Sequence, residues 1–146
     1  MTADASPATL HADAVAQWTP AGWRGVLITG ASGSGKSDLA LKLIAKRGWR
    51  LVSDDYSHVW ASGGLLWATA PERIAGLIEA RGLGIVTLRT RLTTRIGLVV
   101  ACVEGAVERL PEPAVLRIAG VETPKLSLDP RHASAVELVA AAVSRL

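Results

Sequence analysis

The run Gly30-Ala31-Ser32-Gly33-Ser34-Gly35-Lys36-Ser37 fits the spacing G-x-x-x-x-G-K-[ST] at every fixed position. The chemistry this spacing serves is phosphate binding. Glycines let the backbone curl until several N–H groups point at one anion. The lysine reaches the outer phosphates of a nucleotide, and the final hydroxyl helps to hold Mg²⁺. A glycine-rich turn matching by chance is the competing reading, and the flanking sequence weighs against it. Gly25-Val26-Leu27-Ile28-Thr29 reads as a buried strand entering the loop, and Ser37 to Arg47 as a helix leaving it with Leu39, Leu43 and Ile44 as apolar positions. Phosphate would then sit on a helix N-terminus, where unpaired N–H groups and the helix dipole favour an anion.

Two acids, Asp54 and Asp55, follow the apolar stretch Leu51-Val52-Ser53. In open α/β sheets ligands bind at the carboxyl ends of strands, which puts these carboxylates beside the loop. Magnesium needs hard oxygen ligands and a hydroxyl substrate needs a proton acceptor. Adjacent residues of an extended strand point to opposite sides, so the two acids are expected to do different jobs. A turn or helix-cap pair is the structural alternative. A second cluster is Glu79 with Arg81-Gly82-Leu83-Gly84. A carboxylate at a helix C-terminus opposes the dipole. Metal coordination would explain Glu79, and an exposed glutamate beside a loop would explain it equally well. His11, on its residue type alone, reads more readily as structural than as catalytic. Arg89, Arg91 and Arg95 read as a solvated basic stretch that could instead clamp phosphate, and Arg109 carries the same ambiguity.

The elements that must position these groups alternate along the chain. Residues 1–7 are small and polar and are expected to fray, leaving 8–146 as one domain. Thr9 to Val15 is expected to be a strand, followed by the turn Thr19-Pro20-Ala21-Gly22. Gly48 stands where a helix C-cap belongs. Arg50 to Ser53 reads as a strand, and Val59-Trp60 with Leu65-Leu66-Trp67 as a hairpin around Ser62-Gly63-Gly64. Pro71 to Ala80 reads as a helix with Ile74, Leu77 and Ile78 on one face. Ile85–Leu88, Ile96–Val103, Val115–Ile118 and Lys125–Leu128 read as strands, Leu110 to Pro113 as a turn, and Ala133 to Leu146 as a closing helix. The pattern is that of an α/β layered domain.

Composition narrows the classes. Of 146 residues, 49% are hydrophobic, which is enough for a full core and argues against disorder. The net charge of +3 suits an anionic ligand but is too small to argue for nucleic acid, and the five tryptophans are too scattered for a base-stacking platform. The single cysteine, Cys102, lies in an apolar run and reads as a core hydrophobe. No run approaches a membrane span and no secretory signal is visible, so the expected compartment is the cytoplasm.

Taken together, His11, the segment Gly25 to Ser37, Leu51-Val-Ser-Asp-Asp55 and Ala70-Pro71 leading to Glu79-Ala-Arg-Gly-Leu-Gly-Ile85 resemble the catalytic domain of the HPr kinase/phosphorylase family. Glu108-Arg109-Leu110-Pro111 and Val121-Glu-Thr-Pro-Lys125 extend the likeness more loosely. The resemblance implies the family's HPr kinase / PEP carboxykinase-like nucleotide-binding fold, a P-loop-containing sheet with flanking helices. It implies a short form without the N-terminal domain of longer members. ATP and Mg²⁺ are the implied cofactors and a serine hydroxyl of an HPr-like phosphocarrier protein the implied acceptor, with removal of that phosphate as a reverse activity. Gly30 through Ser37 would bind the nucleotide. Lys36 would grip the transferring phosphates, and Ser37, Glu79 and Asp55 would surround the metal. Asp54 would be the general base, His11 would sit beside the attacking group, and Arg109 would serve the phosphorylase reaction. A homo-oligomer, a hexamer in the family, is also implied. Two other readings stay open: a small-molecule kinase of the shikimate-kinase type with the arginines on a lid, and a nucleotide sensor without catalysis.

Overall fold

The computed structural model describes residues 6–72, 77–80, 83–105, 107 and 111–146. The chain runs through β1 (Ala8–Leu10), β2 (Ala12–Thr19), β3 (Gly22–Thr29), α1 (Lys36–Arg47), β4 (Arg50–Ser53), β5 (Ser57–Ser62) and β6 (Leu65–Thr69). It continues through β7 (Leu77–Ala80), β8 (Gly84–Thr87), β9 (Thr93–Cys102), β10 (Ala114–Ile118), β11 (Val121–Leu128) and α2 (Ala135–Val143). The result is a mixed α/β fold, a curled mixed sheet with two helices among the described residues.

Strand β9 is the hub. One edge pairs in parallel with β3, from Gly25↔Ile96 to Thr29↔Ala101. The other edge is shared: β6 takes the N-terminal half in antiparallel register and β11 the C-terminal half in parallel register. Beyond β3 lie β2 and then β4, both antiparallel to their neighbours. The β2–β3 hairpin closes at the expected turn, where Thr19 Oγ1 donates to the Gly22 carbonyl at 2.6 Å and accepts from the Ala21 N–H.

Alternation along the central strands builds two cores. Val15, Val26, Ile28, Leu98 and Val100 face α1 and α2, meeting Leu39, Leu43, Val136 and Val139. Ala12, Ala14, Ala16, Leu27 and Val99 face the opposite way, where the curled sheet brings Val59, Leu66 and Ile118 over them. Both helices thus lie on one side, and the second core is sheet against sheet. Burying each large side chain of this kind is worth roughly 1.5–3 kcal/mol. Cys102 lies in the helix-side core, as its apolar neighbours suggested, and burial raises its thiol pKa to about 11. No described helix is long and apolar enough to cross a membrane.

Three expected elements differ. The first strand is two, since β1 pairs with β5 while β2 pairs with β3, and His11 sits at the break. Leu77–Ala80 is a strand antiparallel to β8 rather than the end of a helix; residues 73–76, with Ile74, lie outside the described residues. A short apolar run carries no period that separates strand from helix, and the partner at Gly84–Thr87 decides it. The pair Asp54-Asp55 lies just past β4 rather than on extended strand, and Asp55 has φ 67°.

Candidate active site

The loop between β3 and α1 is held by its own backbone. Ser34 N–H donates to the Ala31 carbonyl at 3.0 Å, and Leu39 N–H to the Gly35 carbonyl at 3.0 Å to start the helix. Gly35 is the N-cap at φ 100°, a left-handed conformation that costs a side-chain-bearing residue but not glycine. A Cβ at Gly30 would come 2.6 Å from Ser34 Oγ and 3.0 Å from Cys102 Cβ, so the strand-to-loop exit tolerates only glycine. Lys36 is buried, and its Nζ donates to the carbonyls of Gly30 at 2.9 Å and Ala31 at 3.2 Å. The first-turn N–H groups of α1 have no acceptor within a helix, and Asp38 in that turn and Lys46 and Arg47 in the last match the dipole.

Segment 129–131 supports the loop from behind. Arg131 donates to the Gly33 carbonyl at 3.3 Å, and Pro130 stands against Gly35. Asp129 accepts from the Arg131 and Gly105 N–H groups, and these bonds hold its carboxyl below the usual range.

Opposite the loop stands the turn after β4. Ser37 Oγ donates to Asp54 Oδ1 at 2.6 Å. Asp55 Oδ1 lies 2.6 Å from His11 Nε2. The imidazole stacks on the Tyr56 ring, with centroids 5.2 Å apart. The two acids thus face different partners, as expected, but a left-handed turn rather than strand alternation separates them. Loop, turn and the β7–β8 hairpin enclose a cleft of about 460 Å³, whose apolar wall is Leu77, Ile78 and Ile85.

One residue was missed by sequence reasoning. Asp13, fully buried on β2, accepts the Asp55 main-chain N–H through Oδ1 at 2.8 Å. Its other oxygen, Oδ2, is buried as well. Burial, and then the negative charge of Asp54, raise the Asp13 carboxyl to about 8, with Lys36 and the Asp55 N–H pulling the other way. A protonated Asp13 can donate to Asp54. The available signal was an acid in the middle of the apolar stretch Ala12-Asp13-Ala14-Val15-Ala16.

The structure therefore lines one cleft with Ser32, Gly33 and Gly35 to Ser37 of the loop and with Asp54 and Asp55, and His11 joins it through Asp55. Glu79 belongs to β7, opposite Ile85, so the helix-dipole argument for it lapses; its side chain is outside the described residues. Arg109 lies outside them altogether. Arg91 is half-buried in the connection between β8 and β9: its guanidinium lies 4.5 Å from the centre of the Trp23 ring, and its main-chain N–H donates to the Leu51 carbonyl at 2.9 Å. Arg95 is part of β9. Among the described residues, no group of three or more His, Cys, Asp or Glu side chains is arranged to hold a metal. Ser37 and Asp54 are hard-oxygen donors that meet at the mouth of the loop.

Fold and site define a mixed α/β domain in which a glycine-rich strand-to-helix loop faces two divergent carboxylates. Residues 22–144 match the family model of the HPr serine kinase C-terminal domain, and the chain belongs to that family. The chain is 42% identical over 120 residues to the HPr kinase/phosphorylase of Geobacillus kaustophilus, covering 73% of this chain and 38% of that one. It is 47% identical over 87 residues to the enzyme of the same name from Clostridium kluyveri, covering 55% of this chain and 28% of that one. The chain thus spans well under half the length of these relatives. The solved structure of the Hpr(Ser) kinase/phosphatase from Coxiella burnetii superposes with a TM-score of 0.78 at 26% identity, covering 94% of this chain and 95% of that one.

Proposed function

We propose that this protein is an ATP- and Mg²⁺-dependent serine kinase acting on an HPr-like phosphocarrier protein, with phosphorolysis of the phosphoserine by inorganic phosphate, releasing pyrophosphate, as a second and opposing activity. The observation that carries the reading is the 2.6 Å contact between Ser37 Oγ and Asp54 Oδ1. It brings the last residue of the phosphate-binding pattern onto the carboxylate best placed to act as base. In this reading Gly30 to Ser37 is a P-loop, and its amides and Lys36 bind the polyphosphate. Catalysis is then mostly positioning and neutralisation of charge on the transferring group.

Asp54 accepts the proton of the serine hydroxyl as its oxygen attacks the γ-phosphorus. The bond to the bridging oxygen breaks, leaving ADP and phosphoserine. His11, held by Asp55 and Tyr56, orients the incoming side. Ser37, with Asp55 and Glu79 as the carboxylates that the family resemblance implies, would hold Mg²⁺, which when bound neutralises phosphate charge. Arg109 would serve the phosphorolysis. Family membership also carries a homo-oligomeric assembly into this proposal.

The test is incubation of the protein with purified HPr, ATP and Mg²⁺, followed by mass spectrometry of the product. One phosphoryl group on a serine of HPr is expected. An unmodified HPr alongside ATP consumption with a panel of small alcohols would contradict the reading and favour a small-molecule kinase.

A further inference from the structure

Three consecutive residues, His11 at the break before β2 and the first two residues of β2, each bind the segment after β4. His11 Nε2 meets the Asp55 carboxylate at 2.6 Å. The Ala12 carbonyl accepts from Ser57 Oγ at 2.8 Å. Asp13 Oδ1 accepts from Asp55 N–H at 2.8 Å. Asp55 is therefore held twice, by its side chain from His11 and by its main chain from Asp13. The second hold falls on a strained point, because Asp55 is at φ 67°. That conformation is uncommon for a residue with a Cβ and persists where surrounding structure enforces it. It is also what turns Asp55 away toward His11 while Asp54 stays against Ser37. A fully buried aspartate is rare without specific partners, and here they are this N–H and the neighbouring Asp54 carboxylate.

We propose that Asp13 is a positioning residue: by accepting the Asp55 N–H it fixes the left-handed turn in which Asp54 faces the loop and Asp55 faces His11. Its catalytic meaning rests on the kinase reading above. What the geometry asks of Asp13 is an acceptor oxygen at the right reach, which asparagine also supplies. The nucleotide loop is built from other residues, and Asp13 touches it only through its charge interaction with Lys36, so a small effect on nucleotide affinity is expected.

The test compares Asp13→Ala and Asp13→Asn with the native protein in three measurements: turnover with HPr, affinity for Mg-ADP, and hydrogen exchange of the Asp55 amide. Asp13→Ala is expected to lose about 10²-fold in kcat, the scale of a small misplacement of a reacting group. Its Mg-ADP affinity should stay within about threefold and its Asp55 amide should lose protection. Asp13→Asn should restore both protection and turnover. A protected Asp55 amide or native turnover in Asp13→Ala overturns the proposal. So does a folded Asp13→Asn that lacks protection or turnover, and this arm decides the matter if Asp13→Ala does not fold. If the native protein transfers nothing to HPr, the kinase reading fails, while the exchange pattern still decides whether Asp13 holds the turn.

Discussion

The two walls of the cleft are built in opposite ways. On the loop side most of the stabilising bonds are local: Lys36 reaches back five and six residues and Ser34 N–H bonds Ala31, with the Arg131 contact to the Gly33 carbonyl as the long-range addition. On the turn side they span the chain: Asp13 to Asp55 is 42 residues, His11 to Asp55 44 and Ala12 to Ser57 45. A local device is readable as a motif because its residue types must recur at fixed spacing. A long-range device leaves only isolated residues, whose meaning appears when the sheet pairs β2 with β4. The loop wall is therefore shaped chiefly by its own segment, and the turn wall positions side chains through tertiary contacts.

The largest expected effect breaks the loop wall. Lys36→Ala should lower phosphoryl transfer by more than about 10³-fold with the circular dichroism spectrum unchanged, since it removes a fixed positive charge from the transferring phosphates. Turnover near the native level would detach the loop from the chemistry. Next comes the turn wall. Asp54→Asn should keep nucleotide binding and lose about 10²–10⁴-fold in transfer, the usual contribution of a general base. Equal activity would move the base elsewhere; loss of binding as well would mean that the two walls are not separable.

The smallest effect concerns Asp13 and sharpens the contrast through stability rather than rate. Its carboxyl is raised from the usual 3.8 to about 8 in the folded chain. The folded state then holds a proton that the unfolded state releases. Stability from this group is full below about pH 4 and is lost as pH rises toward about 8, with a slope of up to about 1.4 kcal/mol per pH unit. Denaturant titrations across that range should show the decline, and Asp13→Asn should flatten it. An identical slope in the variant would assign the proton to another group.

What was legible in the sequence follows the same division. Residues 30–37, α1, its Gly48 cap and the hairpin of β5 and β6 were readable, because each rests on neighbours in the chain. Cys102 was readable from its apolar run. Leu77–Ala80 was not: four residues carry no decisive period, and pairing with β8 overrode the helical pattern. Asp54 and Asp55 were found by their place after a strand, but their divergence was ascribed to strand alternation, and the left-handed backbone at Asp55 that produces it is set by contacts from β2. Asp13 went unread because an acid in a strand announces a role only when its partner is known.

The claim beneath all of this is that Gly30 to Ser37 grips a nucleotide's phosphates. Calorimetric titration of the folded protein with Mg-ADP tests it most directly. Saturable binding at one nucleotide per chain, weakened in Lys36→Ala, is the predicted result. A flat titration from folded native protein would contradict it.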